Sequence, residues 1–420
     1  MNWASLLLVL VFVLPITWSL VEGVLAWRGD RSPEMRARVL RYFAAEDIER
    51  GTEYRRAFIP GGVAGELLFW GVLAWFVLGS GGRRLADRAA ALSGGRYLLH
   101  VILVALALAI LFRLIRFPIT FYHGYVLEGT FDFRRLDFWP WLLRVLKGWA
   151  IGGGLEVLAA AAFFFVVRRF PDRWLPITIA GGAAITYVLT VTWHAIFLPM
   201  FYQVSPLPAG PLRDGVAELA ARAAVPVQEI RVVDQSRVSG HTNAFFAGIG
   251  GRREIYLFDT LSEQHDVPEV LAVVAHEIGH WRHQHVLKGW AIGVATMAMG
   301  FTVLFFLLRS PTFLAAAGAR GPSDPTLVPV LWALMTAGTI AVAPFGNAMS
   351  RHYERQADRA AIELIPDPRI FVTMKVDGAR ANRSNLLPHP VLVFWNATHP
   401  PTIERVEMAA AADATRPAGS

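Results

Sequence analysis

The chain has 420 residues, 54% of them hydrophobic and only 17% charged, against the roughly 25% charged of soluble globular domains, so the composition points to lipid rather than to a large soluble core. The formal net charge of +7 comes without any basic run interleaved with aromatics, which fits anionic lipid headgroups and argues against nucleic acid as a partner. Cysteine is absent, which removes disulfides, thiol catalysis and cysteine-ligated zinc and leaves His, Asp and Glu to hold any metal.

A helix crosses the hydrocarbon with about 20 consecutive apolar residues, and about seven stretches meet that criterion. They run approximately from Ser5 to Trp27, Val63 to Ser80, Tyr97 to Ile115, Leu142 to Val167, Leu175 to Phe201, Gly289 to Leu308 and Leu327 to Met349. The first has no positive charge before it and is longer than a signal-peptide core, so it is expected as a retained helix. Arginine collects in the loop after the first span, from Arg28 through Arg50, Arg55 and Arg56, and after the third, with Arg113, Arg116, Arg134, Arg135 and Arg144. The loops after the second and fourth spans hold fewer. By the positive-inside bias the N-terminus lies outside and the odd-numbered loops and the tail face the cytoplasm. High Arg and Ala usage with compact loops points to a bacterial inner membrane.

Between the fifth and sixth spans lies the one long segment of soluble character, Tyr202 to about Gln284. It opens on turn-forming residues and continues into an amphipathic helix around Val216–Ala223. Two strands are expected next, Glu229–Asp234 and Arg253–Phe258, both rich in β-branched or aromatic residues. From Val267 the pattern turns helical and is expected to run through His276 and His280 directly into the sixth span. The seventh span is expected to continue past Asn347 until Pro366 stops it. The resulting division is residues 1–201 for the first five spans, 202–287 for a soluble insert, 288–350 for the last two spans and 351–420 for a C-terminal segment.

Val273–Trp281 reads VVAHEIGHW. Residues four apart share a helix face, so His276 and His280 can present both rings to one ion, with Glu277 beside them to act on a water at the metal. A histidine six residues after His280, which one class of zinc site uses as its third ligand, is missing because Val286 stands there. In SRHYERQADRA, however, Glu354 and Asp358 project together from one face. Glu354 can serve as third ligand, while Asp358 can accept a hydrogen bond from a ligand imidazole and fix its tautomer. Two His, one Glu and an open fourth position make the ligand set of a catalytic zinc site. His283 falls a turn beyond His280 near the same face, whereas His285 and His352 read as solvated interfacial residues.

With these residues in place the chain resembles the type I CAAX prenyl protease family of integral-membrane zinc metallopeptidases, and more distantly the HtpX-type membrane peptidases. The resemblance rests on Phe117–Glu128 (FPITFYHGYVLE), on SGHTNAFFAG followed by REIYLFDTL, on HEIGHW, on SRHYERQAD and on NRSNLLPHPVLVFWNATHPPTIERV. It implies a mainly α-helical integral membrane protein, with seven transmembrane helices in an α-barrel around a chamber and a small α+β cytoplasmic insert. It implies one Zn2+ per chain on His276, His280 and Glu354, Glu277 as general base, and His399 steadying the tetrahedral intermediate. Asn243, Ala244 and Phe245 would form the edge against which an extended peptide pairs, since peptide recognition often adds a strand. Arg351, Asn385 and Arg405 also match family positions, with structural pairing or capping as their expected roles.

The expected activity is therefore peptide-bond hydrolysis on a peptide or protein substrate, prenylated or membrane-embedded, with the lipid bilayer as the other partner. In the family's eukaryotic members the last three residues of prenylated C-a-a-X proteins are removed, and the lipid would sit in a dry chamber. Quality-control proteolysis of membrane proteins is the alternative use of the same chemistry. A transporter with an intramembrane ion site is the alternative from another class, although the ionisable groups that matter here cluster at cytoplasmic helix ends.

Overall fold

The computed structural model describes residues 1–225, 227, 229–247 and 254–415. Among these, seven helices are long and apolar enough to cross a membrane. A helix satisfies every backbone N–H within its own segment, which hydrocarbon demands. The first five are α1 (Trp3–Arg28), α2 (Ala45–Leu78), α3 (Tyr97–Phe121), α4 (Phe138–Arg169) and α5 (Trp174–Ile196). An insert follows, with β1 (Val204–Pro206), α6 (Pro211–Arg222), β2 (Glu229–Val233), β3 (Ala244–Ala247), β4 (Glu254–Phe258) and α7 (Val267–Arg282). The chain then returns through α8 (His285–Arg309) and α9 (Leu327–Leu364) and ends on α10 (Pro368–Ala381), α11 (Pro390–Asn396) and α12 (Thr402–Ala414).

The strands form one sheet in the order β1-β2-β4-β3, with β2 and β4 parallel and both edge strands antiparallel to their neighbours. Central β4 buries Ile255 and Leu257, and α7 buries Val270, Val274 and Ile278 at helical spacing; all join one cluster with Phe371 and Met374 of α10. That cluster fixes α7 between the sheet and the C-terminal helices. Of the strand segments read from sequence, Arg253 and Gly248 lie outside the described residues.

Three expectations need correction. First, α7 does not run into the sixth span. Gln284 adopts φ 55 between α7 and α8, a left-handed conformation uncommon for a residue other than glycine, and neither Gly nor Pro in the sequence signals that break. Second, α2 begins at Ala45, far ahead of its apolar run. Asp47 accepts the Ala44 N–H at 3.0 Å and Arg50 pairs with Glu46 at 2.5 Å, so a charged stretch that reads as loop is helix, and Arg50, Arg55 and Arg56 belong to it. Third, Arg113 and Arg116 are inside α3 and Arg144 is inside α4 rather than in the loop between them, and α3 continues as a π turn over Tyr122–Leu127.

The helices enclose a cavity of about 1170 Å³ walled by α1, α2, α3, α4, α9 and α11. The architecture is thus the expected one, a mainly α-helical membrane barrel around a chamber with a small α+β insert. The chamber wall is mixed, with charged groups among apolar ones. Arg113 pairs with Glu156 at 3.0 Å and Arg116 pairs with Glu66, and Glu22 and Arg55 share the same wall. These charged groups sit among Phe58, Phe69, Phe112, Trp149, Trp332 and Trp395 on the same wall.

Candidate metal centre

The centre forms where α7 touches α9. A Cβ on Gly279 would fall 2.8 Å from the Ala357 carbonyl oxygen and 2.9 Å from its Cα, so only glycine permits the two backbones to come this close. His276 and His280, one turn apart on α7, then face Glu354 and Asp358, one turn apart on α9.

His276 Nε2 and His280 Nε2 lie 3.1 Å apart. They are 3.3 Å from Glu354 Oε2 and 3.2 Å from Glu354 Oε1 respectively, so one ligand atom from each of the three residues falls within 4.8 Å of the others. His276 is 6% exposed and Glu354 5%. Glu354 Oε2 is buried, and its contacts with Arg405 at 3.2 Å and His276 at 3.3 Å fall short of hydrogen-bond geometry, which leaves lone-pair capacity for a cation. Two imidazole nitrogens aimed at each other and at an undersatisfied carboxylate are a donor set for a cation, and three protein ligands with room for a fourth fit a catalytic zinc better than a structural one. Burial opposes charge on His276, but its contacts with the Asp358 and Glu354 carboxylates outweigh that and raise its pKa. The cluster therefore favours positive charge at its centre.

The surroundings hold the ring orientations. Asp358 is fully buried and its Oδ1 lies 2.9 Å from His276 Nδ1. Arg405 of α12 donates to both oxygens of Asp358, from Nε at 2.7 Å and Nη2 at 2.6 Å, and comes within 3.2 Å of Glu354 Oε2. Such a bidentate pair fixes the carboxylate as well as neutralising it. Arg405 thus belongs to the centre, beyond the pairing or capping role expected from sequence.

His285 is not the solvated residue expected from sequence. It is 6% exposed, stacks on Tyr353 at 4.3 Å, and places Nδ1 3.0 Å from His280 Nδ1 and Nε2 3.0 Å from Gln356 Oε1. Because an amide oxygen only accepts, His285 donates from Nε2 and accepts the His280 Nδ1–H, which leaves His280 Nε2 as the free lone pair. The break at Gln284 is what turns this ring inward. His283 stacks on His285 at the helix end and is outside the His276–His280–Glu354 group, and His352 is exposed.

Glu277 Oε2 accepts the Phe246 N–H at 3.2 Å, which ties it to edge strand β3. With His276, Asn243, Ala244, His399 and Lys375 it lines a pocket of about 270 Å³. His399 Nε2 is 3.3 Å from Glu354 Oε1, with its side chain 58% exposed. Arg351 holds the chain ahead of it by donating to the carbonyls of Val393 at 2.8 Å and Ala397 at 2.6 Å. Asn385 accepts the Leu387 N–H at 3.2 Å, a local turn. Ala244 and Phe245 are in β3, whereas Asn243 precedes it, its carbonyl accepting the Phe258 N–H at 3.1 Å.

His241, the histidine of the SGHTNAFFAG stretch, joins three parts of the molecule, a role its sequence neighbourhood does not indicate. Its ring lies 3.1 Å from Glu128 Oε2 and 3.2 Å from Asn382 Oδ1 and stacks on Phe133 at 3.8 Å. The polar end of α3's continuation, the approach to β3 and the end of α10 meet there.

Comparison with known proteins completes the picture. Residues 31–203 match the profile of the CAAX prenyl protease N-terminal region, five membrane helices, and residues 206–413 match peptidase family M48. A probable CAAX prenyl protease 1 of Schizosaccharomyces pombe is 30% identical over 285 residues, covering 67% of this chain and 60% of the relative's own length. An uncharacterized metalloprotease of Bacillus subtilis, YhfN, is 28% identical over 63% of each chain. The crystal structure of S. mikatae Ste24p superposes with a TM-score of 0.86 over 97% of this chain and 99% of that one, at 21% identity. The membrane helices and this match together make the chain an integral, multi-pass membrane protein.

Proposed function

This chain belongs to the CAAX prenyl protease family of M48 peptidases, and from that premise we propose that it is a zinc endopeptidase with His276, His280 and Glu354 as the ligands of one zinc ion per chain. The observation that carries the reading is the convergence of these three residues on one point, with Glu277 on the adjoining pocket wall. Zinc bound there supplies Lewis acidity toward the scissile carbonyl and lowers the pKa of water.

Each protein group then has a task that its position suits. Backbone pairing with β3 holds the peptide extended. Glu277 takes the proton of the attacking water and returns it to the leaving amine, a general acid–base role worth about 10²–10⁴-fold. His399 donates to the oxygen that gains negative charge, worth about 3 kcal/mol by comparison with other such donors. Asp358 keeps His276 in the ligating tautomer, itself held by Arg405. The positive-inside bias supports a cytoplasmic site and an external N-terminus in a bacterial inner membrane, with the Arg113 and Arg116 contribution removed.

The substrate is a peptide or protein reached through the membrane chamber. Removal of the three last residues from a prenylated chain is the family's use of such a site. Scission of unprenylated membrane proteins is the second reading: the charged groups in the chamber wall suit a polar chain, while its aromatic and aliphatic residues suit a farnesyl chain. Mass spectrometry of a farnesylated C-a-a-X peptide and its unprenylated twin, with Glu277→Gln as blank, separates the two. Release of three residues from the farnesylated peptide alone supports prenyl processing, and scattered cuts in both support quality control. No cleavage by zinc-loaded protein of these or of unfolded membrane proteins would overturn the peptidase reading.

A further inference from the structure

Around the metal centre Arg405, Asp358, His276, His280 and Glu354 pair with one another, while among the described residues Glu277 and Lys375 form no ion pair. Lys375 of α10 also lines the pocket beside Glu277, yet among the described residues no carboxylate pairs with its ammonium, whose aromatic neighbour is Phe371 at 5.0 Å. Burial, and after it the Arg405 charge, push that ammonium down to about 8. Asp358, Glu354 and Glu277 offset this in part from beyond ion-pair distance, and among the described residues no carboxylate contacts the ammonium directly.

The direction of the chain through the site follows from the chemistry. Glu277 must return a proton to the leaving amine, and that amine begins the fragment on the C-terminal side of the cut bond. The C-terminal fragment therefore lies in the pocket that Glu277 lines, and Lys375 shares that pocket. About 270 Å³ is just under the roughly 300–1,000 Å³ that hold drug-sized ligands, the scale of a short peptide segment. Gly378, one turn beyond Lys375, lines the same pocket and has nothing among the described residues within 4 Å of where its Cβ would stand, so the pocket is open along this stretch of α10. Asn382 fastens the end of α10 to the approach to β3, accepting the Thr242 N–H at 3.1 Å and donating to Thr242 Oγ1 at 3.0 Å. The distance between the lysine and the peptide-pairing edge is thereby held.

Building on the peptidase reading above, we propose that Lys375 receives the free C-terminal carboxylate of the substrate, so that the site selects scissile bonds a few residues from a chain end. Lys375 is a specificity-determining residue in this assignment, while bond cleavage stays with Glu277 and the metal centre.

Binding tests it apart from turnover. Full-length, zinc-loaded Glu277→Gln protein in detergent is titrated calorimetrically with an apolar tripeptide carrying a free C-terminus and with the same tripeptide as its C-terminal amide. The acid is expected to bind roughly 30-fold more tightly than the amide, the range of a charge-paired hydrogen bond in a desolvated site. Adding Lys375→Met should bring the two peptides to equal affinity and Lys375→Arg should keep most of the preference. Equal affinity in the unaltered Lys375 background, or an equal loss for acid and amide in Lys375→Met, overturns the assignment. Should Lys375→Met fail to fold, the acid-to-amide ratio with Lys375 in place still decides it. Absence of peptide hydrolysis by the wild-type protein is a separate result and would strike the peptidase reading instead.

Discussion

The chamber wall and the metal centre both carry charge away from bulk water, and they manage it differently. In the chamber, charges are matched one to one and stay partly wet: Arg113 and Glu156 are 18 and 48% exposed, Arg116 and Glu66 42 and 38%. At the centre, Asp358 is 0% exposed, Glu354 7% and Arg405 9%, and each group serves more than one neighbour. Half-exposed pairs contribute little and a member can be lost. A buried set cannot lose a member without leaving an uncompensated charge. The chamber therefore carries interchangeable charges among apolar side chains, whereas the centre is an interlocked set in which His276, His280 and Glu354 turn ligand atoms toward one point.

Replacing members of each set sharpens that contrast. The largest effect is expected for Arg405→Met, which strips Asp358 of its bidentate partner; breaking a buried pair costs about 3–5 kcal/mol, read as a lower melting temperature in detergent together with weaker zinc retention. His285→Ala should come next. It removes the acceptor that fixes the His280 tautomer, and loss of such a support lowers metal affinity about 10–100-fold, measurable by competition with a chelator while the fold persists. Arg116→Met in the chamber should cost under about 1 kcal/mol and leave zinc affinity unchanged. A chamber substitution that released zinc, or a neutral Arg405→Met, would break the distinction.

Much of this is legible in the sequence because lipid and metal each impose a simple pattern. Uninterrupted apolar runs mark the spans, and a one-turn spacing on each of two helices puts His276 with His280 and Glu354 with Asp358. The chamber and the position of His399 come only from the family resemblance. What the sequence hides is of two kinds. Hydropathy treats a charge as the end of a span, so the charged start of α2 and the in-helix Arg113 and Arg116 read as loop. Tertiary contacts leave no local trace: His241 meets Asn382 across 141 residues, and the inward turn of His285 depends on one left-handed Gln284. Lys375 likewise becomes notable only once α10 is seen beside Glu277.

Metal content of the purified chain tests the central claim most directly. Elemental mass spectrometry of wild type, Glu277→Gln and Glu354→Ala, each dialysed identically after zinc loading, should give about one zinc per chain in the first two and a small fraction of that in the third, as three-ligand zinc sites require. Equal zinc in all three would contradict the account, because the metal would then reside somewhere other than the point where α7 and α9 meet.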